Sequence, residues 1–207
     1  MSSPIYPLFL ATAIFLAAPV RATEPVPRDE LLNLVPADTA VCFVIQGLRE
    51  QAKAVADSPF AAWAGERRKP ALGNSPELAK LRAVEGLFPA LLGVTAAELR
   101  DDILGDAIVL AYQPGPPGKP DAEQGAVMLK ARDPAKLRKL IDRLNDAQKA
   151  AGELTDLTSR SHRGRDYVQR VKADGKSEFY LLRGGLFVFA GQESAIQAVI
   201  DREAGAT

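Results

Sequence analysis

Two dipeptides, Asp174-Gly175 and Gly184-Gly185, each stand between short runs of β-branched and aromatic residues. Two-residue turns of this composition take the primed geometries whose twist matches that of paired strands. They oblige Asp166 to Lys172, Ser177 to Arg183 and Leu186 to Ala190 to fold back on one another as antiparallel neighbours. Leu154 to His162, joined through Arg163-Gly164, extends the set to a four-stranded meander.

The rest of the chain must supply the layer that covers such a sheet. Asp133-Pro134 opens an amphipathic helix with Leu137, Leu140, Ile141 and Leu144 on one face. A last helix runs from about Gln192 to Glu203, with Ile196, Val199 and Ile200 inward and Gly205 at its C-terminal cap. Asp106 to Gln113 and Gln124 to Ala131 read as two more strands. The run Pro114-Gly115-Pro116-Pro117-Gly118-Lys119-Pro120 between them makes residues 114–123 a flexible loop.

Thr39 to Gln46 is continuously apolar apart from its ends and reads as a buried strand, with a helix from Gly47 to Asp57 after it. A helical insertion is expected over about 76–104. Ser75 caps its first helix, Leu78, Leu81, Val84 and Leu87-Phe88 form the stripe, and Thr95 with Glu98 has the capping-box spacing. Asp29 to Leu34 reads as a short helical turn.

The expected architecture is therefore α+β. An antiparallel sheet containing the C-terminal meander carries amphipathic helices packed on one face, with a helical N-terminal segment. A repeat of apolar type supports it. Val127 to Ala131, then Leu137 and Leu140 to Arg143, is echoed at constant offset by Leu186 to Ala190, then Ile196 and Val199 to Arg202.

Leu8 to Val20 is a run of 13 residues without a charge. A bilayer span needs about 20, so the run fits the apolar region of a signal peptide. Small residues at Val20 and Ala22 place the signal-peptidase cleavage before Thr23. The plan is then a signal peptide over 1–22, an extended mature N-terminus over 23–38 and a single α+β domain over 39–203. Met1 to Pro7 holds no lysine or arginine, which leaves an uncleaved anchor as the alternative. The expected location is exported, periplasmic or extracellular, with no stable membrane span after cleavage.

Lysines plus arginines and aspartates plus glutamates number 26 each. Loss of the leader removes only Arg21 from this balance, so no global field steers the chain onto nucleic acid. The lone Cys42 excludes an intramolecular disulfide and, within an apolar run, reads as a buried hydrophobe. One histidine and one cysteine leave no zinc or copper ligand set, and no alternating acidic run forms a calcium loop. No cofactor is expected.

Glu98, Asp101, Asp102 and Asp106 are the densest acidic group, read as a solvated helix end. His162 reads as an exposed histidine at a hairpin end, since Ser159, Ser161 and Asp166 on the same short stretch cannot complete a triad around it. The glycines around Lys119 are no phosphate loop, because the intervening prolines remove backbone donors. The local electrostatic signal is a candidate anion-binding patch of Arg160, Arg163, Arg165, Arg170 and Lys172, weighed against a merely solvated sheet face.

Three motifs recur together: Leu34 to Ala40 entering a strand, Ile103 to Asp106 entering another, and Lys130 to Leu137 entering a helix. In that order, followed by a tyrosine-containing strand and a helix like Ser194 to Asp201, they resemble a family of exported bacterial proteins of unknown function. The resemblance implies fold and compartment only. The expected function is a non-enzymatic cell-envelope binding or interaction module, whose partner is an envelope protein or a surface ligand. The alternatives are a carboxylate-only hydrolase acting on an envelope glycan, and a lipid carrier, which needs a large apolar cavity within the sheet-and-helix layer.

Overall fold

The computed structural model describes residues 26–63, 80, 86, 89–119 and 123–205. The leader, with Val20, Ala22 and Thr23, lies outside the described residues, as does most of the helix expected after Ser75.

Among the described residues seven strands form one sheet: β1 (Val41–Gln46), β2 (Ala107–Gln113), β3 (Gln124–Lys130), β4 (Leu154–His162), β5 (Arg165–Lys172), β6 (Ser177–Arg183) and β7 (Leu186–Ala190). Their order is β1-β2-β3-β7-β6-β5-β4, and every neighbouring pair is antiparallel. The meander β4 to β7 therefore forms one half of the sheet, and β7 joins it to β3 at the centre. The fold class is α+β, with helices α1 (Pro27–Leu32), α2 (Leu48–Ala56), α3 (Ala96–Glu98), α4 (Pro134–Ala150) and α5 (Glu193–Glu203).

The turns differ in how they close. Gly184-Gly185 is a two-residue link with Gly184 at φ +55°, and Arg163 and Gly164 both take positive φ. Asp174-Gly175 is not a two-residue primed turn. Gly175 N–H donates to Lys172 O at 2.9 Å and Lys172 N–H to Lys176 O at 2.8 Å, so three residues form the loop and Gly175 ends it at φ +81°. The left-handed glycine lets an ordinary first turn re-enter the ladder.

The helices divide between the two faces, where one covered face was expected. Ala107, Val109, Met128, Leu181 and Val188 point into one core with Leu31 of α1 and Ile196, Val199 and Ile200 of α5. The alternate residues Leu129, Tyr180, Phe187 and Phe189 meet Leu137, Leu140 and Ile141 of α4 on the other side. Because side chains alternate along a strand, the apolar run of β7 serves both layers at once.

Two helix starts follow from sequence. The Asp133 carboxylate accepts from Ala135 N–H and Lys136 N–H, both at 3.0 Å, ahead of Pro134. At α3 the Thr95–Glu98 capping box is present, and the helix passes at once into a single π-helical turn, Leu99–Ile103.

The strand expected to be buried, β1, is an exposed edge. Among the described residues it pairs with β2 alone, and all six of its residues are exposed, Phe43 at 62%. Cys42 is exposed with them, not buried. An apolar run records suitability for a pleated surface, not how many neighbours that surface finds.

Candidate functional site

The apolar stripe of α4 does not close fully onto the sheet. Between Leu137, Leu140, Ile141 and Leu144 on the helix and Val127, Leu129, Phe187 and Phe189 on β3 and β7 lies a cavity of about 340 Å³. Ile103 and Leu104, leaving the π-helical turn, line it as well. Small-molecule sites span about 300–1,000 Å³, so this volume admits a compact apolar group.

Four polar side chains complete the wall: Asn145 and Gln148 from α4, Tyr180 from β6 and Arg170 from β5. Asn145 is buried, and its amide donates to the Tyr180 hydroxyl at 3.3 Å. Arg170 is nearly buried, its side chain 11% exposed, and its guanidinium lies 6.0 Å from the centre of the Phe189 ring. Its Nη1 donates to Glu178 at 2.8 Å, and Nη2 donates to the Gln148 carbonyl oxygen. Nε is buried without a hydrogen-bond partner among the described residues. Glu178 also receives Lys172 at 3.3 Å. Two cations thus share one carboxylate beside an apolar hollow that has no carboxylate on its walls among the described residues.

The residues of the sequence-derived cationic patch are not gathered on one surface. Arg160 donates through Nε and Nη2 to Gln169, at 3.0 and 2.7 Å. Arg163 pairs with Asp201 of α5 at 2.6 Å, and Arg165 stands 4.0 Å from Glu203. These contacts lie on the α5 side of the sheet. Arg170 and Lys172 lie on the α4 side, and of the five only Arg170 lines the cavity. Alternation along β5 causes the split.

The acidic group is spoken for. Lys136 holds Glu98 at 2.9 Å and Asp102 at 2.5 Å, Asp101 binds Arg100, and Asp106 is shared by Arg49 and Arg132. Hydrogen bonds from Thr95 N–H, Lys136 and the Thr95 hydroxyl bring the Glu98 carboxyl down to a pKa of about 2. That is the behaviour of a capping carboxylate, not of a proton donor near neutral pH. His162 is half-buried rather than exposed, because its Nε2 meets Asp201 at 2.8 Å. No group of three or more histidine, cysteine, aspartate or glutamate side chains converges for a metal among the described residues. No described helix is long and apolar enough to cross a membrane.

Another hollow of about 350 Å³, below α1 and the end of α5, is lined by Glu30, Lys130, Arg183 and Glu203. There Lys130 pairs with Glu30 at 2.5 Å and Arg183 with Glu203, while Arg202, also on its wall, donates to the Asn33 carbonyl oxygen at 3.0 Å.

Asn145, Gln148 and Tyr180 were not singled out in the sequence. The signal was a polar interruption in a helical stripe, since Asn145 follows Ile141 by four positions on the face that should be apolar. The chain matches no protein-family model, no curated protein and no solved structure at a significant level.

Proposed function

We propose that this chain is an exported, non-enzymatic binding module of the cell envelope, and that its ligand occupies the cavity beneath α4. The apolar cavity with one polar end carries this reading. Its walls offer contact and desolvation over most of their extent, at about 0.8 kcal/mol per buried methylene, and hydrogen-bonding groups at one end only. That arrangement suits a small ligand with an apolar body, as in the lipid-carrier alternative. The uncharged run Leu8 to Val20 and the loose likeness to exported bacterial proteins support the location.

The reading is tested with the neutral fluorescent probe N-phenyl-1-naphthylamine and the full chain. Its emission is expected to rise on saturable binding. Leu144→Trp, at the half-exposed rim of the cavity, is expected to abolish that rise while leaving the circular dichroism spectrum unchanged. Absence of binding, or binding indifferent to Leu144→Trp, overturns the reading. A mature start at Thr23 in the periplasmic fraction tests the location separately.

A further inference from the structure

The geometry of Arg170 narrows the ligand's chemistry, and we infer that the cavity takes an aliphatic carboxylate whose head binds the Nε/Nη2 edge of this guanidinium. The inference rests on the cavity being the binding site.

A guanidinium presents two useful edges. In Arg170 one nitrogen, Nη1, is committed to Glu178, whereas among the described residues the Nε/Nη2 edge meets only the uncharged Gln148, which leaves Nε bare. A buried, unsatisfied donor on a cation costs more than the loss of one ordinary hydrogen bond. A planar carboxylate repays that cost, because its two oxygens match Nε–H and Nη2–H side by side. The chain uses this same fork elsewhere: Arg100 grips Asp101 through Nε to Oδ1 and Nη2 to Oδ2, at 2.6 and 2.7 Å.

Charge points the same way. Arg170 and Lys172 share Glu178, which leaves one net positive charge at the polar end of the cavity. One negative charge balances it; a doubly charged phosphate monoester leaves an excess in a partly desolvated place. The chain-like body of the ligand then runs past Phe189 toward Leu137 and Ile103, where the walls are apolar. The head takes the place of the Gln148 side chain on Nη2 and leaves the Arg170–Glu178 pair intact.

Three ligands separate the possibilities: dodecanoate, dodecan-1-ol and dodecyltrimethylammonium, each titrated against the neutral probe in the full chain. Dodecanoate is expected to displace the probe about tenfold or more better than the alcohol, with the ammonium ion weakest. Arg170→Met is expected to erase the preference of acid over alcohol. Gln148→Ala, which removes the competitor, is expected to hold or raise dodecanoate affinity. Equal affinity for acid and alcohol in the unaltered protein overturns the carboxylate assignment and leaves the apolar-ligand reading standing. A fall in dodecanoate affinity in Gln148→Ala overturns it too, since Gln148 is then part of the head site. Failure of all three to displace a bound probe shows a different site and overturns both. Comparing the ligands on unaltered protein keeps the test decisive even where Arg170→Met does not fold.

Discussion

The buried amide of Asn145 donates to the Tyr180 hydroxyl at 3.3 Å, joining the buried polar position in the α4 stripe to the centre of β6. Both residues line the cavity, so the bond ties α4 to the sheet at its polar wall. Tyr180→Phe leaves the Asn145 amide buried without this acceptor, and the expected loss is about 1–3 kcal/mol of unfolding free energy. The double change Asn145→Leu with Tyr180→Phe is expected to recover most of that loss, because both polar partners are gone. Urea unfolding of the four chains of this cycle measures the coupling.

The acid limb of the stability profile is expected to contain Glu98. Its carboxyl is held down to about 2 from an ordinary 4.5, first by Thr95 N–H and then by Lys136. A carboxyl lowered in the folded state contributes stability that is fully present above its unfolded pKa. That contribution is lost as pH falls through the folded one. The melting temperature of Glu98→Gln should therefore lie below that of the parent at pH 6, with the gap closing between about pH 4.5 and 2. A gap that persists unchanged to pH 2 shows that the carboxylate charge is not what the cap uses.

The β6–β7 turn separates two glycine requirements. A Cβ on Gly185 would stand 2.3 Å from the Ala131 carbonyl oxygen, while Ala131 N–H donates to Gly185 O at 2.7 Å. Backbone on both sides cannot yield, so Gly185→Ala is expected to cost at least about 1–3 kcal/mol. At Gly184 there is open space and only the left-handed φ of +55° to meet, so Gly184→Asn is expected to cost well under that. Paired denaturation curves distinguish the two.

The sheet's edges are unequally defended. β4 carries Asp156, Arg160 and His162 and an irregular register between Leu154 and Asp156, all of which discourage a further strand. β1 offers Val41 to Ile45 without a charge. Phe43→Lys, at a largely exposed position, is expected to lower light scattering at high protein concentration with little change in thermal stability.

Much of this fold was legible because local rules and tertiary context agree. The α4 start was readable from Asp133-Pro134, whose carboxylate caps whatever the sheet does. The strands of the meander fall within a residue of their sequence reading, since turn residues and alternation specify them independently. Cys42 and β1 were misread because an apolar strand looks alike at a centre and at an edge. The Arg170 site was half-visible: its residue stood among five candidate cations, but nothing local distinguished the one that faces a cavity.

The echo between Val127–Arg143 and Leu186–Arg202 shows where sequence stops. Each unit is a strand whose alternate residues face its own following helix: Val127 and Leu129 toward α4, Leu186 and Val188 toward α5. The sequence by itself determined only that each strand runs into an amphipathic helix that packs back on the sheet, through the apolar run of the strand and the apolar stripe of the helix. It did not determine that the helices lie on opposite faces. The pairing of β3 with β7 does so, by setting Val127 opposite Phe189 and Met128 opposite Val188. Paired residues share a face, so Val127 and its counterpart Leu186 point to opposite sides. A shift of one residue would have put both helices on one side. Register is a relation between strands far apart in the chain, and only the assembled sheet decides it.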